Sequence, residues 1–252
     1  MFELAAKMTH KALELGPNVS EAHTSNALLT LGDRWDAAAA ERELRRAITL
    51  DAQASSPRIY LSWLLVLRGD VEGGLEAAHK AEELEPVSPL VIAGVAYALF
   101  LARRYDLSIE KCRKALEFDP DAIVAIYVMA MCLAQQSRLD EAIVWIERAV
   151  AMSKRAPFYL GLAANLYARR GDGGRVDDII AELHRRATDE YVPPHCFAYA
   201  YAGFDDLDRA IEWEAKAHDD GASPFNYFSP VIENLHGDPR HIAELRRMGW
   251  RE

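Results

Sequence analysis

The sequence is short of the residues that build covalent or metal-held scaffolds. Only three cysteines occur in 252 residues, Cys112, Cys132 and Cys196. An odd count without metal-ligand spacing excludes a disulfide framework and points to a reducing cytoplasm. Long apolar runs are missing too: the longest, residues 90–102, is interrupted by Gly94 and too short to span a bilayer. No basic segment followed by an apolar core opens the chain, so no membrane targeting is expected. Positive charge is also scarce, with 29 Lys and Arg against 39 Asp and Glu, a net charge of −10. That field repels polyphosphate and sets nucleic acid aside as a partner. The paired arginines at 45–46, 103–104, 169–170, 185–186 and 246–247 mostly lie close to acidic residues and read as solvated helix faces.

Catalytic patterns are equally sparse. None of the eight histidines forms the i, i+4 pair that zinc needs on one helix face. There is no Gly-x-Ser-x-Gly elbow and no dinucleotide fingerprint. The glycine-rich stretch 171–174 has no strand before it and no Gly-Lys-Ser/Thr after it, which removes a phosphate-loop reading. His195 and Cys196 are neighbours, and on one helix they diverge by about 100°, a poor nucleophile and base. No catalytic, metal or cofactor residue is assigned, and the chain is not read as an enzyme.

What the sequence does have is a period. Ala47, Ala81, Ala115, Ala149, Leu183 and Ala217 follow one another at steps of 34, as do Ser62, Ala96, Ala130, Ala164 and Ala198. Leu61, Val95, Met129, Ala163 and Phe197 form a third series, and Pro86 and Pro120 close two successive units. Small residues at fixed helical positions let two antiparallel helices approach closely, and the proline ends a helix it cannot continue. The clearest unit end is Arg104-Tyr-Asp-Leu-Ser-Ile-Glu-Lys-Cys-Arg-Lys-Ala-Leu-Glu-Phe-Asp-Pro120.

A 34-residue step with two small-residue positions and a closing Pro resembles the tetratricopeptide repeat, over residues 1 to about 218. The resemblance implies an all-α, right-handed α-solenoid of antiparallel helix hairpins with a C-terminal capping helix. The expected division is an array over 1–218, made of a half-repeat at 1–17 and about six hairpins, followed by a cap over 219–252. Residues 2–17 carry Ala5, Ala12 and Pro17 in the spacing of a second helix whose first helix is missing, so the chain is expected to be a piece of a longer protein or its N-terminal helix to pack on a partner. Gly73 and Gly74 are expected to weaken a second helix near 71–84, and Leu183 to splay the packing around a helix at 176–186. In the cap, Asp238 is read as a helix N-cap before Pro239, with Ile242, Leu245 and Met248 as an apolar stripe.

Residues 34–51, Arg-Trp-Asp-Ala-Ala-Ala-Ala-Glu-Arg-Glu-Leu-Arg-Arg-Ala-Ile-Thr-Leu-Asp, and the ending Asp238-Pro-Arg…Leu-Arg-Arg-Met-Gly249 are similar to one bacterial branch of these repeats. That branch lies C-terminal to winged-helix regulators, adenylate cyclases and Ser/Thr kinases. The resemblance implies a module fused to an N-terminal effector domain. It also implies that the first helix of each hairpin lines a concave groove, here with Ile59, Trp63, Val66, Ala93, Tyr97, Phe100, Tyr127, Met131, Asn165, Arg169, His195 and Tyr199. Mostly apolar and aromatic, this lining fits a protein or peptide ligand and departs from repeats that clamp a C-terminal carboxylate with several Lys and Asn, since only Asn165 and Arg169 are placed to do so. Two further readings stand beside it: the tail, through Phe225, Tyr227 and Phe228, fills the groove itself, or the solenoid senses a small effector for a fused enzyme.

Overall fold

The computed structural model describes residues 2–220, 225, 229–247 and 250. Among them all regular structure is helical. A first helix, α1 (Phe2–Leu15), is followed by six hairpins: α2 (Ser20–Arg34) with α3 (Ala37–Leu50), α4 (Ser56–Leu67) with α5 (Val71–Leu84), α6 (Pro89–Leu101) with α7 (Tyr105–Phe118), α8 (Ile123–Gln135) with α9 (Leu139–Met152), α10 (Pro157–Arg170) with α11 (Gly173–Arg186), and α12 (His195–Gly203) with α13 (Leu207–Asp219). A 3₁₀ turn, Pro230–Leu235, and α14 (Pro239–Arg247) follow among the described residues.

The tight turns inside the hairpins repeat a backbone geometry rather than a residue. Trp35, Gly69, Arg103, Ser137, Gly171 and Asp205, all 34 apart, have left-handed φ of 50°, 92°, 60°, 61°, 88° and 60°. In five of the six, the next residue sends its N–H back five positions, as Asp70 to Leu65 at 2.9 Å and Arg138 to Leu133 at 2.9 Å, the closure typical of a helix ending in a left-handed residue. The same position then starts the second helix. Asp36, Asp70, Asp172 and Asp206 accept from the backbone N–H three residues on, at 2.8, 3.0, 3.4 and 3.1 Å, which caps an otherwise orphaned donor.

The small-residue series lies at the contacts between helices. Ala47, Ala81, Ala115, Ala149, Leu183 and Ala217 are all fully buried, as are Ser62, Ala96, Ala130, Ala164 and Ala198. Helix α6, apolar on every side, is buried from Val91 to Leu101, which accounts for the longest apolar run as a central core helix. No described helix is long and apolar enough to cross a membrane. The three cysteines are buried and free. Burial pushes the Cys132 and Cys196 thiols up to about 12, so both are packing groups at neutral pH.

Two sequence expectations change in detail. Helix α5 runs unbroken through Gly73 and Gly74, and Gly74 marks a close approach: a Cβ there would lie 2.7 Å from the Ser62 carbonyl of α4. Leu183, expected to splay its helix, is fully buried like the alanines of its series, and the departure lies in the connection that follows. The connection 187–194 lets α12 pack mainly on α10 and little on α11, and a Cβ on Gly161 would stand 2.7 Å from the Cys196 carbonyl. Helix α1 packs on α2, with Thr9 buried and Ala12, Leu4, Met8 and Leu15 exposed.

Candidate peptide-binding face

The first helices carry two 34-step stripes. One is Ile59, Ala93, Tyr127, Gly161 and His195; the other is Trp63, Tyr97, Met131, Asn165 and Tyr199. Because 34 residues return the chain to the same helix face in the next hairpin, the rings form a continuous ladder. Trp63 meets Tyr97 at 4.9 Å between centroids, Tyr97 meets Tyr127 at 6.4 Å, and Tyr127 meets Phe158 at 5.6 Å. Phe158 then reaches His195 at 5.9 Å and Tyr199 at 6.3 Å. Phe158 and its neighbour Tyr159 were not in the expected lining. Both sit in the first turn of α10, off the two stripes, and their aromatic character was the one available signal.

The expected residues divide by burial. Ile59, Val66, Ala93, Tyr97, Phe100, Met131, Asn165, His195 and Tyr199 are buried, whereas Trp63, Tyr127 and Arg169 keep part of their surface open. Asn165 donates to the Tyr199 carbonyl at 2.9 Å, and Arg169 donates to the Ala134 carbonyl at 2.7 Å. Both tie neighbouring first helices together, so these polar groups are engaged with backbone. Burial lowers the Arg169 pKa. His195, buried among Phe158 and Tyr199, is pushed down to about 4 by desolvation and is neutral at pH 7. Among the described residues no group of three His, Cys, Asp or Glu could hold a metal ion.

Described residues of the C-terminal segment touch the first helices. Phe225 packs edge-on against Trp63 with centroids 5.5 Å apart, and its carbonyl accepts from the Tyr97 hydroxyl at 3.5 Å. The Pro230 carbonyl accepts from Gln135 at 2.7 Å, Asn234 donates to the Ala202 carbonyl at 2.9 Å, and Glu233 pairs with Arg103. A cleft of about 270 Å³ remains between the 3₁₀ turn and the ends of α8, α10 and α12, with Gln135, Arg169 and Asn234 in its wall. Helix α14 docks on α13 through Arg240 and Asp208 at 2.7 Å, His218 and Glu244 at 3.3 Å, and the buried pair His241 and Glu214 at 3.5 Å. Trp250 completes the run on Trp35, and Phe225 and Trp250 both join the apolar cluster of the first two hairpins. Tyr227, Phe228 and Met248, also named from the sequence, lie outside the described residues.

Stacked helix pairs with one period define an α-solenoid, and comparison with solved structures gives its type. The chain resembles the human IFIT1 dimer with m7Gppp-AAAA (TM-score 0.68, 18% identity, 98% of this chain and 60% of that one). It also resembles PilW, a type IV pilus biogenesis factor (TM-score 0.58, 18% identity, 86% and 97%), and the APC/C Cut9–Hcn1 hetero-tetramer (TM-score 0.62, 11% identity, 98% and 46%). No family model matches the sequence, and no curated protein matches it. With the 34-residue period and the paired helices, the chain has the tetratricopeptide-repeat fold.

Proposed function

We propose that this protein is a scaffold whose first-helix face, from Trp63 through Tyr97 to Tyr127, receives a peptide or helix of a partner protein. The observation that carries the reading is the aromatic ladder. A half-open row of rings offers large contact area at low entropic cost, as in peptide grooves generally. The likeness of residues 34–51 and 238–249 to the bacterial branch supports a further step, that the scaffold is the C-terminal regulatory module of a cytoplasmic transcriptional or signalling protein with an N-terminal effector domain. The division into an array over 1–218 and a cap over 219–252 belongs to the same proposal.

The test is a double substitution, Trp63→Ala with Tyr97→Ala. Partners that co-purify with the wild type are lost from the variant, while far-UV circular dichroism keeps its helical signal. Retention of the same partners by a folded variant would overturn the reading.

A further inference from the structure

The seating of Phe225 contains more than a packing contact. Trp63 is oriented without it: the indole N–H donates to the Gly94 carbonyl at 2.9 Å, and the ring packs against Tyr60 and Tyr97 at 5.2 and 4.9 Å. The platform is therefore preorganised, and Phe225 adds one ring and one carbonyl acceptor to it. Both are features that any peptide with an aromatic residue can supply.

A second contact, far along the chain, holds the same segment down. The Trp250 indole N–H donates to the Trp35 carbonyl at 2.7 Å across 215 residues, and the two rings meet edge-on at 6.0 Å. Trp35 is buried and has φ of 50°, a left-handed conformation costly for a bulky side chain. Such strain persists only where surrounding structure fixes it. Here the surroundings include His218 at 5.3 Å, Leu245 and Trp250.

We propose that the Trp63–Tyr97 platform is a binding site for one aromatic side chain of a partner peptide, and that the protein's own C-terminal segment holds the site through Phe225 as an intramolecular competitor latched by Trp250 on Trp35. The proposal rests on the first-helix face being the partner site. It specifies the partner's chemistry: an apolar peptide with an aromatic anchor whose backbone carbonyl reaches the Tyr97 hydroxyl. A tethered competitor acts at an effective concentration of about 1 mM. If its own contacts are worth a dissociation constant of about 0.1 mM, it weakens an incoming peptide of the same chemistry about tenfold.

The experiment uses the full chain and a fluorescent peptide copying residues 219–235. Anisotropy titration gives weak binding to the wild type and about tenfold tighter binding to Trp250→Ala, which loses the latch. Phe225→Ala, which keeps the latch and vacates the platform, shows the same gain. The peptide carrying Ala in place of its phenylalanine at 225 binds none of them, and adding Trp63→Ala to Phe225→Ala removes binding. Equal affinity of the peptide for the wild type, Trp250→Ala and Phe225→Ala, all folded by circular dichroism, overturns the proposal. Should that occur while Trp63→Ala with Tyr97→Ala still loses its partners, the scaffold reading stands and the competitor alone falls.

Discussion

Ser137 and Arg103 occupy the left-handed backbone that Gly69 and Gly171 occupy at the same point of their own hairpins. A residue with a Cβ pays roughly 1–2 kcal/mol for that conformation, and glycine does not. Ser137 is exposed. Ser137→Gly is therefore expected to raise the unfolding free energy by about 0.5–1 kcal/mol in urea denaturation, after the entropy glycine gains in the unfolded chain is set against the relieved strain. Gly171→Ala is expected to lower it by about 1 kcal/mol. This turn series was hidden in the sequence because its members, Trp, Gly, Arg, Ser, Gly and Asp, share no chemistry. What recurs is a dihedral angle. The alanine series was visible because close helix approach selects a residue size. Asn165 and Arg169 show the other limit: the family resemblance marked them as polar groups on the first-helix face, but their acceptors are backbone carbonyls of neighbouring helices, which no side-chain pattern reveals.

Among elements, the contact of α10 with α12 departs most from a regular array. Gly161 lies in a helix interior, where alanine would normally gain about 1 kcal/mol by propensity. Its missing Cβ is replaced by the Cys196 backbone, with the carbonyl 2.7 Å and the Cα 2.8 Å from where that Cβ would stand. Backbone cannot yield as a side-chain tip can, so overpacking wins. Gly161→Ala is expected to cost about 1–3 kcal/mol, whereas Gly174→Ala in α11, with open space at the Cβ, should stabilise by up to about 1 kcal/mol. Paired thermal melts check both signs at once. The hairpins and their order were legible from the period, since each element repeats its neighbours' packing needs. The tight seat of α12 was not, because it arises from the eight-residue connection 187–194 and from Gly161, whose missing side chain admits the Cys196 backbone.

For the molecule as a whole, two buried titratable groups oppose each other. His195, held down to about 4 by desolvation, contributes stability that is present above its ordinary value near 6.5 and lost as pH falls toward 4. From pH 7 to 5 this is a loss of about 2 kcal/mol. Burial raises Glu214 well above the usual carboxylate range, so its contribution is full below about 4.5 and lost as pH rises. Urea melts at pH 7 and 5 should show His195→Leu gaining stability on acidification relative to wild type, and Glu214→Gln losing more than wild type. The seat of Glu214 beside His241 of α14 also explains why the end of the chain matters to the whole: it ties α13 and Trp35 of the first hairpin into one body, where a simple repeat array has only neighbours. That long reach could not be read from a period that stops near residue 218. It also carries a consequence in time. A chain made from its N-terminus at about 5–20 residues per second completes Trp63, Tyr97 and Tyr127 several seconds before residue 250 exists. Closing the end onto an array already folded needs only a loop of about 30 residues to be ordered, not one of 215, which lowers the entropic cost from about 5 to about 3 kcal/mol. On the proposed competition, each newly made molecule thus passes through a brief period with the aromatic ladder bare, and a partner present at its birth meets no competitor.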